Sequence, residues 1–376
     1  MKLRPFILLA AYILVAFTTY SQQKTVHVKW IEDKIIIDGD LPDKAWQLVT
    51  PVKNFWQYFP SDSVHAEYDT EMYMAFDAKT LYIGIKLYAK GSDYIIPSYR
   101  RDFRARGNDN ISLIFDTFND GSNAFFFGTN PYGVRREALI SGGGTNLRGF
   151  NTSWDTKWEG ESKIYEGYSI SEMAIPLSAF KYRDGETKWH FNSYRFDTQN
   201  NETSTWMQIP KNQFIFSLAF MGEMLFEKPL SKPKTPIYLI PYVNGTTSKD
   251  FENNDKLTKI NLGLDVKLPI GSGMNLDITI NPDFSQVEVD DQIVNLTRFE
   301  ISLPEKRQFF IDNSDLFSDF GDAREANPFF SRRIGVATDL EGNSIENKIT
   351  GGIRLSGKLN DNLRLGFLNI QTDEDA

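Results

Sequence analysis

Three tryptophans carry the most specific chemistry that the sequence offers. Trp154 and Trp158 follow the glycine-rich stretch 142–146 with short polar residues beside them, and Trp206 lies further along the chain. Flat aromatic rings stack on the C–H face of a pyranose, while nearby polar groups bind its hydroxyls. Trp154, Trp158 and Trp206 are therefore candidates for contact with an oligosaccharide or polysaccharide. Core packing is the alternative, because a four-residue spacing on a strand places both rings on one face.

Several charged residues are candidates for polar contacts with such a ligand. Arg101 and Arg135 each present a planar fork of donors that suits hydroxyls or carboxylates, although ion pairs at strand ends would explain them equally well. Asp102, Asp109 and Asp116 offer oxygen ligands of the kind that Ca²⁺ prefers, which makes calcium a candidate cofactor. The sequence has no twelve-residue calcium loop, and acidic turn residues are commonly just solvated.

Catalytic patterns are sparse in this chain. It has three histidines and no cysteine, with neither a zinc-protease motif nor a Gly-x-Ser-x-Gly elbow. A glycosidase needs only two carboxylates at a set separation, and 50 acidic residues leave that reaction open. We predict no catalytic residue and leave enzymatic activity undecided.

Length and charge limit the class of protein. A chain of 376 residues favours two domains. The net charge is −9 and no basic stripe stands out, so nucleic-acid binding is not expected. The first 21 residues combine Lys2 and Arg4 with an uncharged apolar run, the layout of a signal peptide. We therefore expect export to the periplasm or outer membrane of a Gram-negative bacterium.

Residues 22–228 read as many short strands separated by turns. Runs such as Met72–Phe76, Leu81–Ile85 and Ile111–Phe118 are β-rich, and an Ile35–Ile37 strand is expected to end at the Asp-Gly pair that follows it. Short strands with Asp-Gly turns and no helical periodicity predict an all-β fold with an N-terminal β-sandwich. A proline-rich stretch at 229–236 then predicts a linker.

Beyond the linker, residues 237–376 alternate strictly between apolar and polar side chains. The runs 260–268 and 274–280 are separated by a glycine turn, and further alternating runs lie at 349–359 and 363–367. Strands of about ten residues with two distinct faces are what a lipid-facing β-barrel requires. A second soluble sandwich would alternate in the same way. We count five or six strands here, fewer than the 8 of a small barrel.

The order Ile37-Asp38-Gly39-Asp40-Leu41 and on to Ala45-Trp46 resembles the opening of family 9 carbohydrate-binding modules. Phe76-Asp77 stands where that family usually has Trp-Asp. The rest of the chain resembles bacterial proteins in which such a module precedes an outer-membrane region called domain of unknown function 5916. The most specific matching stretches are 281–288, 295–300 and 304–310. Asn108 and Glu137 depart from the acidic pattern of that family, which puts a cation site in doubt.

The resemblance implies carbohydrate binding at the cell envelope, accessory to glycan utilisation, with Phe76 as a further candidate for sugar contact. It also implies outer-membrane lipid as a partner. The competing hypothesis is an outer-membrane channel or assembly component whose sandwich is a periplasmic plug or docking domain. Family 9 modules accompany glycosidases, so a hydrolase assignment would be inherited by association. We expect the barrel to be incomplete in this chain and to close with further sequence or with a partner chain.

Overall fold

The computed structural model describes residues 24–231, 237–249, 256–271, 273–282, 305–318, 329–338, 344–360 and 362–373. The segment predicted as a signal peptide lies outside the described residues, as does the part of the predicted linker at 232–236. In the described part of the chain, no helix is long and apolar enough to cross a membrane.

The N-terminal part consists of thirteen strands and one short helix, α1, at Lys44–Gln47. The strands are β1 Thr25–Trp30, β2 Trp56–Phe59, β3 Thr70–Phe76, β4 Thr80–Tyr88, β5 Asn110–Asp116, β6 Ala124–Thr129, β7 Arg135–Ile140, β8 Phe150–Asn151, β9 Glu159–Tyr165, β10 Tyr168–Pro176, β11 Glu186–Asp197, β12 Glu202–Thr205 and β13 Gly222–Leu230.

Strand β1 joins two layers because it changes partner along its length. Its first part, from Thr25 to Val28, pairs in parallel with β13, and Lys29 and Trp30 pair in parallel with β3. One layer has the order β8-β7-β6-β5-β11-β13, with β12 also paired to β11 and β2 paired to β12. The other layer has the order β3-β4-β10-β9. The two layers enclose a common apolar core, so this part is the predicted β-sandwich.

The core draws on alternate residues of both layers, as a half-buried strand requires. One layer contributes Met72, Ile83 and Met173, and the other contributes Leu113 and Phe191, all of them buried. A second cluster behind β5 and β11 is covered by the segment around Phe216, and a third lies under Trp46 on the opposite layer.

Two expectations for this part are corrected by the structure. Ile35–Ile37 is not a strand, because its neighbouring N–H groups bond to carboxylates. Ile36 donates to Asp43 at 3.0 Å, and Gly39 donates to Glu172 at 3.0 Å. Strand β13 also includes Pro229, which was expected to open the linker. Proline is tolerated there because it lies beyond the stretch that pairs with β1.

The C-terminal part contains a five-stranded antiparallel sheet in the order β14-β15-β16-β19-β20. Its strands are β14 Tyr238–Lys249, β15 Lys256–Ile270, β16 Met274–Ile280, β19 Ile349–Asn360 and β20 Leu363–Thr372. A separate pair is formed by β17 Val336–Thr338 and β18 Ser344–Glu346, and two one-turn helices, α2 Gln308–Ile311 and α3 Asp315–Ser318, lie between β16 and β17. The four alternating runs named from the sequence lie in β15, β16, β19 and β20, and β14 is a strand that none of those runs indicated.

This sheet reverses the usual distribution of polar and apolar side chains. Its buried face is polar and includes Asn275, Asp277, Thr279, Arg354 and Ser356. Its other face exposes large apolar side chains, namely Ile260, Leu262, Ile280, Ile353, Leu359, Leu363, Leu365 and Phe367. Polar residues in a water-soluble protein normally face solvent, so this sheet has the reverse of the arrangement expected in water.

The segment 305–318 covers the polar face and contacts the sandwich. Asp312 accepts hydrogen bonds from Lys267 at 2.7 Å and from Asn275 at 3.1 Å, and Lys181 of the sandwich lies 3.7 Å away. Lys358 of β19 also pairs with Asp120 of the sandwich at 2.5 Å. Charged side chains therefore join the sandwich to the sheet.

Candidate carbohydrate-binding site

The candidate site lies at one edge of the sandwich, where β7 of one layer approaches β9 of the other. The turn between β6 and β7 packs on β9, since Ser162 donates its hydroxyl to the carbonyl of Asn130 at 3.2 Å. The connection between β4 and β5 lies against β7, since Asp102 N donates to Arg135 O at 3.1 Å. Residues distant in sequence are thereby brought together at this edge.

Glu137 of β7 is the centre of the cluster. Its carboxylate is almost fully buried and contacts the guanidinium of Arg101, and it accepts a hydrogen bond from Trp158 Nε1 at 3.1 Å. Burial raises the pKa of Glu137 to about 7, and contact with the carboxyl group of Asp155 adds to that rise. The Arg101 and Trp158 donors oppose the shift because they stabilise the charged form.

Two arginines belong to the cluster, one in contact with Glu137 and the other with Trp158. Arg101 is 40% exposed and also donates to Asp155 at 2.8 Å and to Thr156 O at 3.0 Å, so part of its fork faces solvent. Arg135 donates to the carbonyl of Trp158, and its guanidinium lies over the indole, 5.6 Å from the ring centroid. These contacts fix both guanidinium groups in place, which reduces the entropy cost of binding a ligand.

An exposed aromatic pair lies beside the cluster. Tyr99 precedes Arg101 by two residues, and Tyr132 precedes Arg135 by three. The rings of Tyr99 and Tyr132 meet edge to face with centroids 5.4 Å apart, and the residues are 68% and 50% exposed. Large rings open to solvent next to fixed hydrogen-bonding groups are the combination that sugar binding requires.

The rings that were predicted to stack on sugar lie elsewhere in the structure. Trp158, Trp206 and Phe76 are buried in the main core at 3%, 2% and 1% exposure. A ring without an open face cannot stack on a sugar, so these three are corrected to packing residues. Trp154 is partly buried against Phe125 and lines a cavity of about 110 Å³ between the sandwich and the C-terminal sheet.

The predicted calcium ligands serve the backbone. Asp102 accepts from Glu137 N at 3.2 Å, Asp109 accepts from Ile95 N and Thr198 N, and Asp116 accepts from Gly121 N at 2.8 Å. Across the described ranges, no three histidine, cysteine or acidic side chains lie close enough to hold a metal ion. The three aspartates therefore stabilise turns and do not converge.

Asp155 is the second acidic residue of the cluster. Its carboxylate and that of Glu137 both contact the guanidinium of Arg101. One arginine therefore holds two carboxyl groups at this edge.

Sequence reasoning missed Tyr99, Tyr132 and the central role of Glu137. The exposure of Tyr132 could have been predicted from the stretch Asn130-Pro131-Tyr132-Gly133, because an aromatic residue inside an Asn-Pro and Gly turn is exposed. The sequence offered no comparable signal for the position of Tyr99, since its exposure depends on how the β4–β5 connection folds.

The C-terminal part of the chain matches a known family. Residues 233–376 match the family described as Domain of unknown function (DUF5916), which confirms the resemblance stated for that part of the chain. No curated protein matches the sequence.

Solved structures with similar folds include family 9 carbohydrate-binding modules. A module from Caldicellulosiruptor kristjanssonii in complex with cellotriose is 14% identical and has a TM-score of 0.39 over 56% of this chain and 96% of that chain. The same module in complex with glucose is also 14% identical and has a TM-score of 0.39, over 56% of this chain and 100% of that chain. A protein from Bacteroides uniformis is 15% identical with a TM-score of 0.45, over 55% of this chain and 100% of that chain.

Proposed function

We propose that the sandwich binds carbohydrate at the edge formed by β7 and β9. The observation that carries this proposal is the exposed Tyr99–Tyr132 pair beside the fixed Arg101–Glu137 cluster. The tyrosines supply apolar contact with a sugar ring, and Arg101 and Asp155 supply a donor and an acceptor for its hydroxyls. The role is accessory to glycan utilisation at the cell envelope, with the protein capturing saccharide without hydrolysing it.

The test is a calorimetric titration of the whole chain with neutral oligosaccharides, including cello- and xylo-oligosaccharides. A detergent without a sugar headgroup is needed, since a maltoside would compete for the site. Tyr99→Ala and Tyr132→Ala should each lower affinity by roughly tenfold, because a stacked ring contributes on the order of 1–2 kcal/mol. The control is Tyr168→Ala, which breaks the stacked Tyr165–Tyr168 pair at 4.9 Å on the β9–β10 hairpin. Absence of binding across the panel would reject the proposal.

We also propose that the C-terminal sheet is part of an outer-membrane β-barrel with its apolar face in lipid. The reversed faces of the sheet support this, because lipid is the solvent in which apolar residues point outward and polar residues point inward. Leu262 of β15 is 67% exposed, and its neighbour in the same strand, Ile260, is 75% exposed. In this arrangement the protein is exported and sits in the outer membrane.

The matched test replaces two equally exposed apolar residues by lysine. Leu262 lies on the sheet and Ile36 lies on the sandwich, and both are 67% exposed. Leu262→Lys should reduce the amount of protein in washed outer membranes, since lysine on a lipid face costs about 1–4 kcal/mol depending on depth. Ile36→Lys should have no effect. Recovery of the unaltered protein in the soluble fraction would reject the membrane proposal.

A second candidate function is an outer-membrane channel or assembly component with the sandwich as a plug or docking domain. The ion pairs that join Asp312 to Lys181 of the sandwich and to Lys267 of the sheet favour it. Conductance measurements in planar bilayers distinguish the two. A channel held shut by the sandwich should open when Asp312→Asn removes this contact, whereas a binding protein should show saccharide affinity and no conductance in either form.

A further inference from the structure

The β4–β5 connection carries a dense positive charge in a chain whose net charge is −9. The segment 99–107, which we call the arginine loop, has the sequence Tyr-Arg-Arg-Asp-Phe-Arg-Ala-Arg-Gly. Four arginines and one aspartate give it a net charge of +3. Arg100, Arg101, Arg104 and Arg106 are all exposed.

The arginine loop is anchored to the sandwich. Phe103 is 4% exposed, and the guanidinium of the buried Arg136 lies 5.4 Å from its ring centroid. The carbonyl of Ala105 accepts hydrogen bonds from Asn108 N at 3.2 Å and from Asn110 Nδ2 at 2.9 Å. A loop held at its apolar centre and at its turn presents its charges in a defined arrangement.

Arg104 and Arg106 have no partner in the described part of the chain. Neither makes a hydrogen bond, ion pair or ring contact there, whereas Arg101 is held by Glu137 and Asp155. Two exposed guanidinium groups in the same loop as Tyr99 leave their charge available to a ligand. Guanidinium groups bind carboxylates through two parallel hydrogen bonds.

We propose that the arginine loop makes the site selective for acidic saccharides, whose uronic acid units carry carboxylates. This inference rests on the proposed carbohydrate binding and adds the substrate class. The tyrosines contact the sugar ring, and Arg104 and Arg106 pair with carboxylates on neighbouring units. Because these pairs are exposed, the preference is moderate, about tenfold for two contacts, and it weakens with added salt.

The experiment compares one oligosaccharide in two chemical forms. An oligogalacturonide and the same chain after reduction of its carboxyl groups to alcohols are each titrated into the whole protein, at low and at high salt. The acidic form should bind about tenfold more tightly at low salt. Arg104→Gln combined with Arg106→Gln should abolish this preference and leave affinity for the reduced form unchanged. The matched control is Lys34→Gln with Lys44→Gln, two exposed lysines of the segment before and within α1.

The outcomes separate the inference from the proposal on which it rests. Equal affinity for the two forms would overturn the acidic preference and leave carbohydrate binding standing. Binding of neither form would overturn the acidic preference, and carbohydrate binding itself would fall only if the neutral oligosaccharide panel also showed no binding. Polyglutamate serves as an acidic polymer without sugar rings, and equal affinity for it would also overturn the inference, because charge alone would then explain the binding.

Discussion

Trp158 donates its indole N–H to Glu137 Oε2 at 3.1 Å, so a tryptophan that was predicted to contact sugar holds a buried carboxyl group instead. The ring packs in the core at 3% exposure, and its polar edge points toward the β7–β9 edge. A residue of the core thus positions a group of the candidate site.

Replacing Trp158 by phenylalanine should destabilise the protein. The change keeps an aromatic ring but removes the donor to Glu137, and a buried polar group that loses a partner costs about 1–3 kcal/mol. Urea unfolding followed by circular dichroism measures the free energy of unfolding. Trp154→Phe is the control, since the partly buried Trp154 makes no hydrogen bond through its indole within the described residues. Equal losses in the two variants would show that ring volume, and not the hydrogen bond, causes the effect.

The raised pKa of Glu137 predicts a pH dependence of stability. The folded protein binds this proton up to a pH of about 7, whereas the unfolded chain releases it near 4.5. Between those values the folded state holds more protons, so the free energy of unfolding falls as pH rises. Glu137→Gln removes this contribution, and the decrease between about pH 5 and about pH 8 should shrink by on the order of 3 kcal/mol.

To test this prediction, the free energy of unfolding is measured against pH for the original protein and for Glu137→Gln, and the two slopes are compared. Arg101, Trp158 and Asp155 face the carboxyl group, and Asp155 is the acidic one among them. Asp155→Asn is therefore included as the control. It should lower the pKa of Glu137 and narrow the pH window without removing it. Parallel curves for the Glu137→Gln variant and the original protein would contradict the assignment.

Asp312 should stabilise the contact between sandwich and sheet. Asp312→Asn leaves Lys267 and Lys181 without their shared carboxylate. We expect the free energy of unfolding to fall by about 1–3 kcal/mol. This is less than the cost of breaking a fully buried pair, because both lysines are about one-third exposed. Scanning calorimetry of the whole chain should show a lower melting temperature or two separate transitions. Asp33→Asn, at an exposed position, is the control, and a decrease of equal size there would argue against a specific contact.

The sandwich and the C-terminal strands could be predicted because their side chains alternate with a period of two. Met72 and Met74 face the core with Ile83 and Ile85 opposite them, and the alternating pattern of the sequence predicts this pairing. The absence of a strand at Ile35–Ile37 could not be predicted, because it depends on Asp43 and on Glu172, which is more than 130 residues away.

The candidate site was predicted only in part, for a physical reason. Arg101 and Arg135 were identified by the chemistry of their side chains, and the structure places Arg101 against Glu137 and Arg135 over the indole of Trp158. The stacking rings were misassigned because the sequence shows that a tryptophan is large and apolar but not which face it presents. The exposure of Tyr99 and Tyr132 is a property of two loops that meet only in the folded protein.

Titration of the whole chain with a saccharide panel tests the central claim most directly. We expect saturable binding that falls roughly tenfold in Tyr99→Ala and again in the double variant with Tyr132→Ala, while Tyr168→Ala binds like the original protein. Circular dichroism should show that all variants remain folded, since both tyrosines are exposed. Undiminished affinity in the folded double variant would contradict the placement of the site at the β7–β9 edge.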